Sequence, residues 1–259
     1  MTLYNKIGEG YNHTRRADPF ITSELLKLLE PLPQGNYLDI GCGTGNYLEA
    51  FTKKGLLFYG ADPSEKMLAE ARLKISGDRL ICSAAEKLPF DSNSFDGCTA
   101  VLTLHHWQNL DAGLSEICRV LKTGAKFVMF SFCPEQMRGY WLHHYFPRMI
   151  EESGRQLPHR TEMAERLTQA GFKKTEMHPY FIKSDLSDHF LYSYKFEPAR
   201  YLDPQVRQNI SSFRTFCSVD ELNNGIQKLE QDITSGEFDK IQKNYSNNLG
   251  DYLFISSQK

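Results

Sequence analysis

Charge of one sign is scarce in this chain of 259 residues. Lys and Arg number 30 against 32 for Asp and Glu, a formal net charge of −2, so no global basic field draws it to nucleic acid. Long apolar runs are missing too. None approaches the roughly 20 residues of a membrane-spanning helix, and the polar start has no hydrophobic signal segment, so no membrane partner is expected. The 6 cysteines show neither metal-ligand nor disulfide spacing. That predicts free thiols in a reducing, cytoplasmic setting, and no metal. Repeats and low-complexity tracts are also absent. The length then suits one large domain, or a domain with a lid, around a sizeable core.

The most informative stretch is Tyr37-Leu38-Asp39-Ile40-Gly41-Cys42-Gly43-Thr44-Gly45. An apolar strand runs into a glycine hairpin, and a helix follows at once. Alternate glycines let the backbone turn sharply and remove side chains that would keep a ligand off it. The helix start offers free backbone N–H groups, and Asp39 adds a carboxylate beside them. Such a cradle suits a nucleoside with a polar, charged tail. A dinucleotide fingerprint, Gly-x-Gly-x-x-Gly, needs its third glycine one residue later, where Asn46 stands.

Leu57-Phe58-Tyr59-Gly60-Ala61-Asp62 predicts a second buried strand ending on a carboxylate. It lies about twenty residues beyond the hairpin, where nucleotide-binding sheets place an acid for a ribose. Pro63 and Ser64 then open a helix through Met67, Leu68 and Ala71. A short third strand, Arg79 to Cys82, precedes Ser83-Ala84-Ala85-Glu86-Lys87-Leu88-Pro89-Phe90. A fourth, Cys98 to Leu104, finishes at His105-His106-Trp107; a periodic helix follows from Leu110 to Leu121, then a fifth strand, Lys126 to Phe132.

The hairpin, the Ala85-Glu86 to Phe95-Asp96 segment and Arg119-Val120-Leu121-Lys122 together resemble the class I S-adenosylmethionine-dependent methyltransferases, small-molecule (type 11-like) family. The resemblance is close over about 35–132 and weaker at both ends. It implies S-adenosyl-L-methionine as cofactor and a Rossmann-like α/β fold: a seven-stranded, mostly parallel sheet with helices on both faces. The last strand of such a sheet inserts antiparallel beside the fifth, a place that Asp251 to Ser256 can fill. The remaining strand expected is Phe172 to Ile182, after a helix from Glu162 to Ala170. The cofactor-binding residues implied are Asp39, Gly41, Cys42, Gly43, Thr44, Gly45, Asp62, Pro63, Met67, Ala85, Glu86 and Leu102. Tyr11 and Arg15 match a Tyr-x-x-x-Arg arm that folds over the cofactor in relatives; Arg16 competes with Arg15.

Three regions are expected: an N-terminal arm and helix (1–34), the cofactor-binding core (35–132), and the rest of the sheet (133–259). The last carries a helical lid near the C-terminal strands, in insertions over about 133–159 and 184–248. Both insertions are rich in aromatics and follow strand C-termini, the ligand-binding edge of open α/β sheets. Tyr140, Trp141 and His144 are the candidates for the methyl acceptor, against the plainer reading that such aromatics form the lid's own core.

The expected reaction is in-line methyl transfer to a small organic acceptor. A base is needed only for a hydroxyl or a protonated amine; His105 is the first candidate and His106 the second. Two other readings stay open: a cofactor-binding regulator or scaffold without turnover, and an NAD(P) oxidoreductase, which the early third glycine disfavours.

Overall fold

The computed structural model describes residues 15–259. By the density of its contacts the chain divides into two compact units. The first takes the chain up to Ser131, with Thr161–His178 and Leu253–Lys259; the second comprises Phe132–Arg160 and Pro179–Tyr252. The aromatic insertions therefore fall together in the second unit.

The elements run α1 (Pro19–Leu29), β1 (Asn36–Ile40), α2 (Asn46–Thr52), β2 (Leu57–Asp62), α3 (Glu65–Ala71), β3 (Leu80–Cys82), β4 (Phe95–Val101), α4 (Leu110–Val120) and β5 (Leu121–Ser131). Short helices α5 (Pro134–Arg138), α6 (Leu142–Tyr145) and α7 (Pro147–Gly154) come next, then α8 (Arg160–Gln169) and β6 (Lys173–Tyr180). The chain closes with α9 (Pro204–Gln208), α10 (Ser211–Phe216), α11 (Val219–Ser235), α12 (Phe238–Asn244) and β7 (Tyr252–Gln258).

Local chemistry explains the starts. Asp18 accepts from the N–H groups of Phe20 and Ile21 at 2.9 and 3.0 Å, and Pro19 opens α1 without a donor to satisfy. The helix then buries Ile21, Leu25 and Leu29, four residues apart on one face. Asn109 caps α4 in the same way through Ala112 N–H.

The strands form one seven-stranded sheet in the order β3-β2-β1-β4-β5-β7-β6. β1 pairs parallel with both β2 and β4, and β7 runs antiparallel to β5 from Lys126↔Gln258 to Ser131↔Leu253. The insertion of the final strand beside the fifth is thus as the resemblance implied. Strand order reverses on either side of β1, and that switch opens a crevice at the C-terminal ends of β1, β2 and β4.

Several strand boundaries differ from the sequence pattern, and for two of them the structure shows the cause. β4 ends at Val101, before the expected Leu104, because Leu102 takes a left-handed conformation, φ 50°, which stops the extended run. β5 begins at Leu121, five residues early, since Leu121 pairs with Phe95 before a register shift carries the ladder on at Gly97 and Lys126.

In the first unit, Phe58 stacks between Phe51 (4.7 Å) and Tyr37 (5.1 Å), all but sealed from solvent. The second unit has a core of its own, centred on Trp141. Its indole meets Tyr201 and Phe238 edge-on at 5.4 and 4.9 Å and donates to the Lys195 carbonyl at 3.0 Å. Among the described residues no helix is long and apolar enough to cross a membrane, and no group of His, Cys, Asp or Glu could hold a metal ion.

Candidate functional site

A cavity of about 270 Å³ lies in the first unit. Its wall comes from the switch point outward: Ile40, Gly41 and Gly43 after β1, Asp62 to Ser64 and Met67 after β2, Ala84 to Glu86 after β3, and residues 101–103 and 106–108 after β4. Eight of the expected cofactor residues stand on it: Gly41, Gly43, Asp62, Pro63, Met67, Ala85, Glu86 and Leu102.

Two glycines are required by the geometry. At Gly41, φ 66°, a Cβ would stand 1.9 Å from Thr103 Oγ1, so only glycine lets β1 turn against the end of β4. At Gly43, φ 54°, a Cβ would meet no atom within 4 Å. Its space opens on the cavity, so the bare backbone there is available to a ligand. Asp62 sets this hairpin: one carboxylate oxygen accepts from Gly43 N–H at 2.9 Å, the other from Ser64 N–H at 2.8 Å. Burial still pushes its pKa up.

Asp39 is buried beneath the hairpin, off the cavity wall, and accepts from Thr99 Oγ1 at 2.6 Å. Burial, with the negative charge of Asp62 adding to it, pushes Asp39 up to about 7. Two carboxylates held this close in a poorly solvated place favour a cationic guest. Cys42, Thr44 and Gly45 also stand off the wall. Cys42 is buried among the same acids, Gly45 caps α2, and the Thr44 carbonyl accepts from Lys74 Nζ at 2.9 Å. Arg15 gives its carbonyl to Asn46 Nδ2 at 2.9 Å, and its charge is felt at His105 and His106. Tyr11 lies outside the described residues.

The histidines exchange the places expected of them. Leu104–His106 is one turn of 3₁₀ helix; His106 lines the cavity, and His105 stands off its wall with its ring 3.8 Å from that of His106. Burial, then the charge of Arg15, lowers His106 to about 4. His105 is held well below its ordinary value by burial, His106 and Arg15. Neither is a strong proton acceptor at neutral pH, a correction to the role first given to His105.

Tyr140 and Trp141 are likewise corrected. Both are sealed in the second unit's core, Tyr140 stacked on Tyr192 at 4.0 Å with its hydroxyl on the Asp251 carbonyl. Their faces are spent on neighbours, as the plainer reading of these aromatics had it. His144 is half-buried beside Tyr145 and Tyr245.

Ile40, Ser64, Ala84, Val101, Thr103, Trp107 and Gln108 were not singled out by sequence. Most flank residues that were, and widening each motif by one residue would have found several. Trp107 had a signal of its own, a large aromatic just past a strand end.

A methyltransferase-domain family model matches residues 38–129, the stretch that builds this cavity. Over its fold the chain is similar to a solved protein of Anabaena variabilis described as a methyltransferase from an antibiotic biosynthesis pathway: TM-score 0.82, 27% identity, covering 95% of this chain and 99% of that one. It is 29% identical over 153 residues to the demethylmenaquinone methyltransferase of Clavibacter sepedonicus, 54% of this chain and 62% of that protein, and so spans less than two thirds of that relative. The demethylmenaquinone methyltransferase of Geobacillus kaustophilus is 32% identical over 171 residues, 55% of this chain and 73% of that protein. On that match, the chain belongs to the class I S-adenosylmethionine-dependent methyltransferases, within the type 11 methyltransferase-domain family.

Proposed function

We propose that this chain transfers a methyl group from S-adenosylmethionine to a small organic acceptor. The observation that carries the reading is the cavity at the switch point, with a bare glycine backbone on one side and two buried carboxylates beside it. When bound, the cofactor supplies a methyl group on a sulfonium, open to in-line displacement.

The chain's own residues then bind, orient and exclude water. Gly41 and Gly43 leave room for the polar tail, and Asp62 is the acid for the ribose hydroxyls. Asp39 and Asp62 together favour positive charge over a neutral or anionic ligand, which separates this site from a pyrophosphate cradle. Pro63, Met67, Ala85 and Leu102 provide apolar wall. No residue on this wall offers a base near neutrality through a histidine, since His106 lies at about 4. That favours acceptors that reach the cavity already nucleophilic, or whose proton leaves to solvent. The Clavibacter and Geobacillus relatives are named for demethylmenaquinone, which is consistent with a small-molecule substrate here. We place the reaction in the cytoplasm, with His144 a candidate acceptor contact and Arg15 and Tyr11 candidate cofactor contacts.

The test is methyl-labelled S-adenosylmethionine incubated with purified protein and fractionated small-molecule extract. Label should appear in a compound of the extract. Tight S-adenosylhomocysteine binding with no labelled compound in any fraction would instead support a cofactor-binding regulator.

A further inference from the structure

We infer that Asn46 and Lys74 are positioning residues for the cofactor, a hydrogen-bonded relay that holds the back of the glycine hairpin and brings Arg15 to the cavity. The inference rests on the reading of the cavity as an S-adenosylmethionine site, and concerns residues that stand off its wall. Asn46 opens α2, at the place where a dinucleotide fingerprint carries its third glycine. Its carboxamide is engaged at both ends. Oδ1 accepts from Lys74 Nζ at 2.6 Å, and Nδ2 donates to the Arg15 carbonyl at 2.9 Å. A lysine only donates and a carbonyl only accepts, so the two partners fix which way the amide faces. Neither near-isostere could replace it: aspartate lacks the donor and leucine lacks both groups.

Lys74 is the unexpected member. Its half-buried ammonium lies at the start of α2, where the helix dipole repels a cation, and burial lowers its pKa. A second bond holds it there, to the Thr44 carbonyl at 2.9 Å. The N–H of the same peptide, on Gly45, donates to the Cys42 carbonyl at 2.9 Å. This peptide of the hairpin is therefore fixed at both ends. The reach from α3 is short because Gly45 permits a close approach. A Cβ there would stand 3.1 Å from Cβ of Ala71, the last residue of α3, one turn before Lys74. At the far end of the relay, the charge of Arg15 is felt at His106 on the cavity wall. Its guanidinium thus lies within electrostatic reach of the cavity, where the cofactor's carboxylate is the partner it suits.

The two arms of the relay can be tested apart. S-adenosylhomocysteine is titrated into the full chain by calorimetry, with melting curves recorded beside it. Asn46→Asp keeps an acceptor for Lys74, suits the helix start, and loses the donor to Arg15. Its melting temperature should hold or rise while affinity falls about fivefold. Asn46→Leu, which adds no charge, should bind at least as weakly. In an Arg15→Ala background Asn46→Asp should change affinity no further, because no guanidinium is left to place. Lys74→Met should weaken binding in both backgrounds, through the hairpin, and Lys74→Arg, which keeps the donors, should recover most of that loss. Wild-type affinity in Asn46→Asp and Lys74→Met, with normal binding heat, would overturn the relay and leave the cofactor reading standing. So would a loss from Asn46→Asp that is the same with and without the Arg15 side chain. No binding heat in wild type would overturn both.

Discussion

At Gly43 a side chain would project into the space where the cofactor's tail is proposed to lie, and the left-handed backbone adds strain of its own. Gly43→Val should abolish binding of S-adenosylhomocysteine in calorimetry; unchanged affinity would remove the hairpin from the site. Asp62→Ala removes both the proposed ribose acceptor and the clamp on Gly43 and Ser64 N–H. Its loss should weaken binding by about 1.5–3 kcal/mol, the worth of charge-assisted hydrogen bonds. The histidines make a prediction of the opposite kind. With His106 at about 4 and His105 held low, both imidazoles are neutral across the physiological range. The rate profile should therefore show no rising limb near pH 6.5 that disappears in His106→Gln. Such a limb, lost on that substitution, would reinstate a histidine base.

Among the elements, α4 does more than cover the sheet. Arg119, near its end, donates to the carbonyls of Phe90 and Leu88 at 2.8 and 3.1 Å and pairs with Glu116 at 2.7 Å. Glu116 in turn accepts from Leu88 N–H at 2.8 Å. The pair stitches the loop after β3 to the helix, a physical reason for an arginine at this place in the motif. Arg119→Ala should cost about 1–3 kcal/mol of stability, since it takes the charged partner from two carbonyls and leaves Glu116 only the Leu88 N–H, and should raise KM more than it lowers kcat. Unchanged thermal melting would show the stitch to be ornamental. The same elements explain what the sequence disclosed. The first five strands, the hairpin and the acid at the end of β2 were legible because glycine spacing and apolar runs are local signals, whereas the place of β7 came from the resemblance. The end of β4 was not, since nothing local announces that Leu102 turns left-handed. Tyr140 and Trp141 were misassigned for a related reason: composition reports that aromatics are present, not whether they face a ligand or one another. Which of two adjacent histidines lines the cavity is settled by the packing around one short turn, and no pattern in the chain specifies it.

At the scale of the whole molecule, the buried acid under the hairpin links cofactor, pH and stability. Asp39 has an ordinary value of 3.8 and is pushed up to about 7 in the fold. Between those values the folded chain keeps a proton that the unfolded chain has lost. The unfolded state then binds fewer protons, so stability from this residue falls as pH rises from about 4 to about 7, and levels off above. The shift of about three units corresponds to about 4 kcal/mol at most, shared with Asp62, whose charge raises Asp39. Asp39→Asn keeps an oxygen for Thr99 and removes the charge. Its stability relative to wild type should therefore increase across that window and be flat beyond it, as read from melting curves at a series of pH values. The cofactor turns the same linkage around, because a cation beside Asp39 is favoured only when that carboxyl is ionised. S-adenosylmethionine affinity in wild type should climb with pH through about 7. S-adenosylhomocysteine lacks the sulfonium charge and should climb less, and Asp39→Asn should flatten both. Identical pH dependence of the two ligands in wild type and variant would mean that the buried carboxyl does not sense the charge of what binds above it.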